Sequence, residues 1–280
     1  MTLPKPAQGL SAVPSTLRIP LAARASGDRM FPQVAVRDAY AAGILEQIRD
    51  DGQALPEDRS TIYSILSRTR RLRNLAQEFL ERHPGGRVVN MGCGLSHYFQ
   101  WLDDDRCRMT DADLPEVLEL RRQLIPEINP RHDLRELDLT APDWWEQLKL
   151  PATRDDAPVF LFTEGVLMYL TPEQVRAVFA TFGERAPAGS VLAFDAMCWL
   201  GVGRAKQHPS VRTTGAEFQW GIRRAAELTQ PHPRLRLDSS YRVLQGIGPA
   251  YTLFAPLVLL VLGVSLYAVY ALRAADEGDT

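Results

Sequence analysis

The sequence predicts a doubly wound α/β domain: a mainly parallel sheet with helices on both faces, preceded by a helical extension. Three observations carry this. From residue 87 onward, short apolar strands alternate with helical segments, as a parallel sheet with crossover helices requires. Glycines and acids fall directly after those strands, where such sheets bind ligands. Before residue 87 the apolar residues keep helical rather than alternating spacing.

In the extension, Phe31 to Arg49 places Val34, Tyr40, Ile44, Leu45 and Ile48 at mixed helical spacing. Thr61 to Glu81 is clearer, and its other face carries Arg68, Arg70, Arg71 and Arg73, most of which read as a solvated surface. After the turn-forming His83-Pro84-Gly85-Gly86, strands are expected at Arg87–Met91, Cys107–Ala112, Leu134–Leu137, Pro158–Phe162 and Ser190–Phe194. Between them helices are expected at Leu95–Leu102, Pro115–Leu124, Pro142–Leu148 and Pro172–Glu184, the last with Thr171 as N-cap.

The first strand is followed by Gly92-Cys93-Gly94, where the backbone can turn sharply and approach a ligand; packing alone also explains such a turn. Asp113 follows the second strand, about 20 residues on, the interval at which an acid meets a ribose hydroxyl, and it can equally cap a helix. Asp138, after the third, can accept from an adenine amine with Leu139 on the ring, or simply form a turn. Glu164, after the fourth, stands at the cleft mouth and needs a partner, with Arg68 a candidate; a structural ion pair is the other reading. There is no Gly-Lys-Ser/Thr phosphate loop, and His97 occupies the third position of the Gly-x-Gly-x-x-Gly pattern. A nucleoside ligand without a phosphate chain remains, and S-adenosyl-L-methionine fits.

The 280-residue chain has a net charge of −2, which gives no basic footprint for nucleic acid. Its three cysteines (Cys93, Cys107, Cys198) form no CxxC pair, so neither a zinc site nor a disulfide framework is expected. Residues 1–15, rich in Pro, Ala and Ser, read as partly disordered rather than as a signal peptide, and a cytoplasmic location is expected.

The residues resemble the leucine carboxyl methyltransferase superfamily, in its bacterial branch of polyketide O-methyltransferases. The matching stretches run from Ser15-Thr16-Leu17-Arg18-Ile19-Pro20-Leu21-Ala22-Ala23-Arg24 through Arg68-Thr69-Arg70, Val88 to Leu95 and Asp113-Leu114-Pro115-Glu116-Val117. They continue with Asp138-Leu139-Thr140, Glu164-Gly165-Val166-Leu167-Met168-Tyr169-Leu170, Phe194-Asp195 and Phe218-Gln219-Trp220-Gly221. The resemblance implies a class I (Rossmann-like) methyltransferase fold with a seven-stranded sheet, a helical cap over 16–86, a catalytic domain over 87–280, and S-adenosyl-L-methionine as donor. By the same resemblance Arg68 meets the methionine carboxylate and Glu164 its amino group. Gly92, Cys93 and Gly94 line the cofactor loop, Asp113 holds the ribose, Asp138 and Leu139 hold the adenine, and Leu114 is a further cofactor-binding residue. The acceptor is expected to be a small organic carboxylate or hydroxyl; a non-catalytic cofactor-binding protein is the alternative.

Where the family continues with Asp-Thr-Arg, this chain has Ser96-His97-Tyr98, and Arg73 stands where the family often has an acid. His97 and Tyr98 are candidate bases for a hydroxyl acceptor, although His97 also reads as a helix-surface residue. His208 and His232 adjoin prolines and read as loop residues. Met168, Tyr169, Trp199, Phe218 and Trp220 are candidate walls of an acceptor pocket, or ordinary core. Pro249 to Leu272 carries no charge and is long enough to cross a bilayer between Arg242 and Arg273. Pro256 and Gly263 interrupt it, which favours a helix over Tyr251–Leu262 and a final strand over Ser265–Leu272 instead of a membrane segment.

Overall fold

The computed structural model describes residues 17–48, 58–125, 129–207 and 215–276. Seven strands form one sheet in the order β3-β2-β1-β4-β5-β7-β6. They are β1 Arg87–Met91, β2 Arg108–Asp113, β3 His132–Glu136, β4 Val159–Thr163, β5 Val191–Met197, β6 Leu235–Arg242 and β7 Tyr267–Ala274. The first five are mutually parallel, while β7 runs antiparallel between β5 and β6. The order reverses at β1, between β2 and β4, and this creates the crevice where open α/β sheets take ligands.

Alternation along the buried strands divides the core in two. On one face Val88, Phe160, Phe162 and Val269 meet Leu72, Leu75, Ala76 and Phe79 of α3 (Arg59–Arg82). On the other, Val89, Leu161 and Leu192 meet Trp144 and Trp145 of α6 (Trp144–Gln147), and Val175, Phe179 and Phe182 of α7 (Pro172–Arg185). Capping fixes the helix starts. Asp58 accepts from Thr61 N at 2.8 Å to open α3, and Thr171 and Gln174 form a reciprocal capping box on α7. Pro115 opens α5 (Pro115–Leu124), where its missing N–H costs nothing.

The structure corrects several expectations. Phe31 to Arg49 is not one helix. A single 3-10 turn, Pro32–Val34, precedes α2 (Ala41–Gln47), because Asp28 takes the N–H groups of Val36 and Arg37 and Asp38 caps α2 through Tyr40 and Ala41. The extension instead begins with α1 (Arg18–Met30). The helix expected over Leu95–Leu102 shrinks to α4, Phe99–Leu102. Arg121 captures the Gly94 and Ser96 carbonyls, and Ser96 Oγ bonds Cys93 O, so this stretch has other hydrogen-bond partners than a helix. Arg73 is half-buried and bonds Val36 O, and Arg70 bonds Gln33 O; these side chains tie α3 to the preceding loop rather than forming a solvated face. Strand β6 was not expected, since LRLDSSYR lacks clean alternation and lies at the sheet edge.

Among the described residues no helix is long and apolar enough to cross a membrane. The apolar run forms α8 (Pro249–Leu262), a left-handed Gly263 and then β7. His208 and residues 1–15 lie outside the described residues.

Candidate active site

At the carboxyl ends of β1, β2 and β4, one cavity of about 720 Å³ gathers most of the residues singled out by their place after a strand. It is lined by Arg68, Gly92, Cys93, Gly94, Asp113, Leu114, Asp138, Leu139 and Glu164 among others. Its size lies within the usual range for small-molecule sites, about 300–1,000 Å³.

The glycine loop has the backbone its residues imply. Gly92 and Gly94 take φ values of 74° and 51°, and a Cβ on Gly92 would overlap Val166. Asp113, at the end of β2, straps this loop down: one oxygen accepts from Gly94 N at 2.7 Å and the other from Leu114 N at 2.8 Å. Burial pushes its carboxyl above the ordinary value, against the pull of those two N–H groups. Two of its four lone-pair sites remain for a ligand. Asp138 is exposed and forms a turn, accepting from Thr140 N and Oγ1 with its Oδ1 oxygen, while among the described residues no such bond to its other oxygen is seen.

Glu164 and Arg68 meet, as the apolar strand before Glu164 required. Arg68 Nε donates to Glu164 Oε1 at 2.9 Å, Thr69 Oγ1 donates to the same oxygen at 2.7 Å, and Tyr98 OH donates to Oε2 at 2.7 Å. Burial alone would raise the Glu164 carboxyl; the charges of Arg68 and Arg24 and the Tyr98 and Thr69 hydroxyls outweigh it and hold the carboxyl below its usual value. Arg68 also binds Asp195 at 3.2 Å and the Tyr267 hydroxyl.

Three further residues take part in the site. Arg24 lines the cavity, pairs with Asp38 at 2.8 Å and bonds Leu95 O. Its place in the Ser15–Arg24 stretch was the available signal. Asp195 orders Arg68 from β5 and accepts from Gly165 N. Tyr267 lines the cavity from β7, 199 residues from Arg68 in sequence, with no local signal.

The candidate bases do not stand in the cavity. Tyr98 is fully buried under Glu164 and its phenol titrates well above the usual range, first because of burial and then because of the adjacent carboxylate. His97 is 1% exposed, which also excludes a surface role, and packs against Tyr40 and His132. Asp111 and His132 stand beside it, but the Arg121 guanidinium is already paired with Asp111 Oδ2, which disfavours a metal cation there. His232 packs against Gly183, away from the cavity lining. Of the expected acceptor walls, Met168, Tyr169 and Phe218 line the cavity. Trp199 is exposed instead, and Trp220 packs in the core against Phe179 and Phe194.

Comparison with known proteins agrees with this architecture. The family model described as "Leucine carboxyl methyltransferase" matches residues 15–183. The chain is 30% identical to the tetracenomycin polyketide synthesis O-methyltransferase TcmP of Streptomyces glaucescens, over 84% of both chains. It is also 30% identical to the S-adenosyl-L-methionine-dependent methyltransferase dpfgK of Gibberella zeae, over 87% of this chain and 86% of that one. Among solved structures, a DUF574 family protein from Streptomyces avermitilis superposes with a TM-score of 0.55 at 15% identity, covering 89% of this chain and 97% of the other.

Proposed function

The chain belongs to the leucine carboxyl methyltransferase family, and on that premise we propose that it methylates an oxygen of a small, largely apolar, polyketide-like acceptor. It is an S-adenosyl-L-methionine-dependent methyltransferase. The observation that carries the proposal is the convergence of Arg68, Gly92, Asp113, Asp138 and Glu164 on a single cavity.

The residues suit that cofactor. Glu164 offers a carboxylate to its amino group, and Arg68 with Arg24 offers guanidinium groups to its carboxylate. Asp113 has lone pairs left for the ribose hydroxyls. Leu114 and Leu139 flank the adenine, with the second Asp138 oxygen for its amine. When bound, the cofactor supplies an electrophilic sulfonium methyl. The protein's part is alignment for in-line displacement and exclusion of water. Ile19, Ile65, Met168 and Phe218 wall the cavity with apolar surface, which suits an apolar acceptor.

We favour a carboxylate over a hydroxyl as the reacting group. A carboxylate arrives ionised and needs no base, and neither His97 nor Tyr98 lines the cavity. Arg204, exposed in the cavity lining, supplies a cation to orient an anionic acceptor.

Calorimetry with S-adenosyl-L-methionine on wild type, Asp113→Asn and Asp138→Ala tests the site. Each substitution should weaken binding roughly 10- to 100-fold, the value of hydrogen bonds to charged groups. Unchanged affinity in both sinks the assignment. Incorporation of labelled methyl into aryl carboxylates rather than phenols tests the acceptor; turnover confined to phenols would overturn the carboxylate preference.

A further inference from the structure

Helix α8 joins β6 to β7 at the carboxyl edge of the sheet, because β6 ends and β7 begins there: Arg242 pairs with Ala268, and Tyr267 pairs with Met197 at the end of β5. It therefore stands beside the cavity, whose lining includes Leu244 just before it and Leu266 and Tyr267 just after. From Val243 to Leu272 the chain has no charged residue. Ala255 faces inward, 8% exposed, while Leu253 is 74%, Phe254 58%, Leu257 55%, Leu260 82% and Val261 72% exposed. At 3.6 residues per turn these five side chains form one stripe roughly 120° wide.

A second apolar element is tied to the chain that follows α8. Trp199 and Val202 are exposed on the turn that follows β5, and Cys198 N bonds Leu266 O. Arg223 sits over the Trp199 ring at 5.2 Å, Arg204 lines the cavity, and Arg242 ends β6 in the stretch that leads into α8. Aliphatic stripe, exposed Trp and flanking guanidinium groups are the features of a surface that enters the headgroup region of a bilayer. The 14-residue helix is too short to cross but long enough to lie in the plane. Charge selects among occupants: a second copy seated on the stripe would bring the guanidinium rims together, whereas an anionic lipid surface meets them with opposite charge.

We propose that α8 and the Trp199 turn dock this protein on an anionic lipid surface without crossing it, so that an apolar acceptor reaches the cavity from that surface. The docking stands on the exposed stripe; its role in acceptor delivery rests on the reading of the cavity given above.

The test is flotation of the full chain with vesicles of phosphatidylcholine alone or mixed with phosphatidylglycerol. The protein should float with the mixed vesicles, and less at roughly 1 M salt, where the screening length falls to about 3 Å. The double variant Leu253→Gln/Leu260→Gln, changed only at exposed positions, should lose at least roughly tenfold in vesicle partition, since binding scales with buried apolar area. Calorimetry with S-adenosyl-L-methionine on the same samples should be unchanged, which shows the variant folded. Normal cofactor binding with no flotation of wild type overturns the docking and leaves the methyltransferase reading intact. A wild-type dimer that the double variant abolishes, without vesicle binding, also overturns it and assigns the stripe to a second copy. Flotation that the double variant does not reduce overturns the role of α8.

Discussion

Glu164 shows how one side chain is held ionised inside an apolar core. Its carboxylate has Arg68 and Thr69 on one oxygen and Tyr98 on the other, so burial does not force it to take up a proton. Tyr98 is buried against that carboxylate and does not line the cavity, so we propose that it positions Glu164 rather than acting as a base. Tyr98→Phe removes the Tyr98 hydrogen bond to Glu164 Oε2, and weakening the pairing of a buried acceptor in this way costs about 1–3 kcal/mol. We expect urea denaturation to show a loss of stability of that size while the pH profile of kcat keeps its shape; loss of an ascending limb, where activity rises as a base gives up its proton, would make Tyr98 a base after all. The need for a partner at Glu164 was legible in the sequence, because a carboxylate after VFLFT cannot be buried alone. Of its partners, Arg68 is legible as a candidate, whereas Thr69 and Tyr98 are not, and nothing local signals that Asp195 and Tyr267 hold Arg68 in turn.

Helices whose ends carry their own capping chemistry were the most readable elements. Helix α7 begins where Thr171, Pro172 and Gln174 say it must, since both donors of its capping box lie within four residues. Thr171→Ala should destabilise the protein by about 1 kcal/mol in urea denaturation with cofactor affinity unchanged, because α7 lies over the core and adds no residue to the cavity. A cofactor defect in that variant would link α7 to the site. The spacing of residues 95–98 suits a helix, but local spacing cannot reveal that Arg121, 25 residues away, takes the Ser96 carbonyl. Edge strand β6 was missed for a related reason. With one side unpaired and its pattern broken by a register shift between Leu237 and Ser239, it lacks the periodicity of a buried strand.

The pH response of the whole fold follows from its buried carboxylates. Asp38, Asp111 and Glu164 are all held below their ordinary values: burial pushes each upward, and paired arginines with hydrogen-bond donors more than offset it. Once unfolded, these groups take up protons at higher pH than they do in the fold. Their stabilisation is therefore complete above about pH 4 to 5 and is lost as pH falls through the lower folded values. Asp113 has the opposite sign, since burial raises it, and its protonation in acid returns part of the loss. Three groups against one make the net effect destabilising. We expect the urea midpoint to fall steadily below about pH 4; a midpoint that rises there would mean that the Arg68–Glu164 and Arg121–Asp111 pairs do not persist in solution.

Apolar period, turn residues and caps act within a few positions, so the alternating strands, helices α3, α5 and α7 and the glycine loop could be read from the chain order alone. The acids and glycines after each strand could be read too, because an open parallel sheet brings its carboxyl ends to one edge whatever the loops do. Contacts between residues far apart in sequence depended on the order of strands in the sheet. Placing β7 antiparallel beside β5 brings Tyr267 to Arg68 and Asp195, and sets α8 between Leu244 and Leu266, which both line the cavity. A run that is apolar throughout has no polar face to announce which side will be buried, so periodicity could not tell a membrane segment from a strand and a surface helix. The antiparallel pairing of Tyr267–Ala274 with both neighbours buries the second half of the run and leaves the first half exposed.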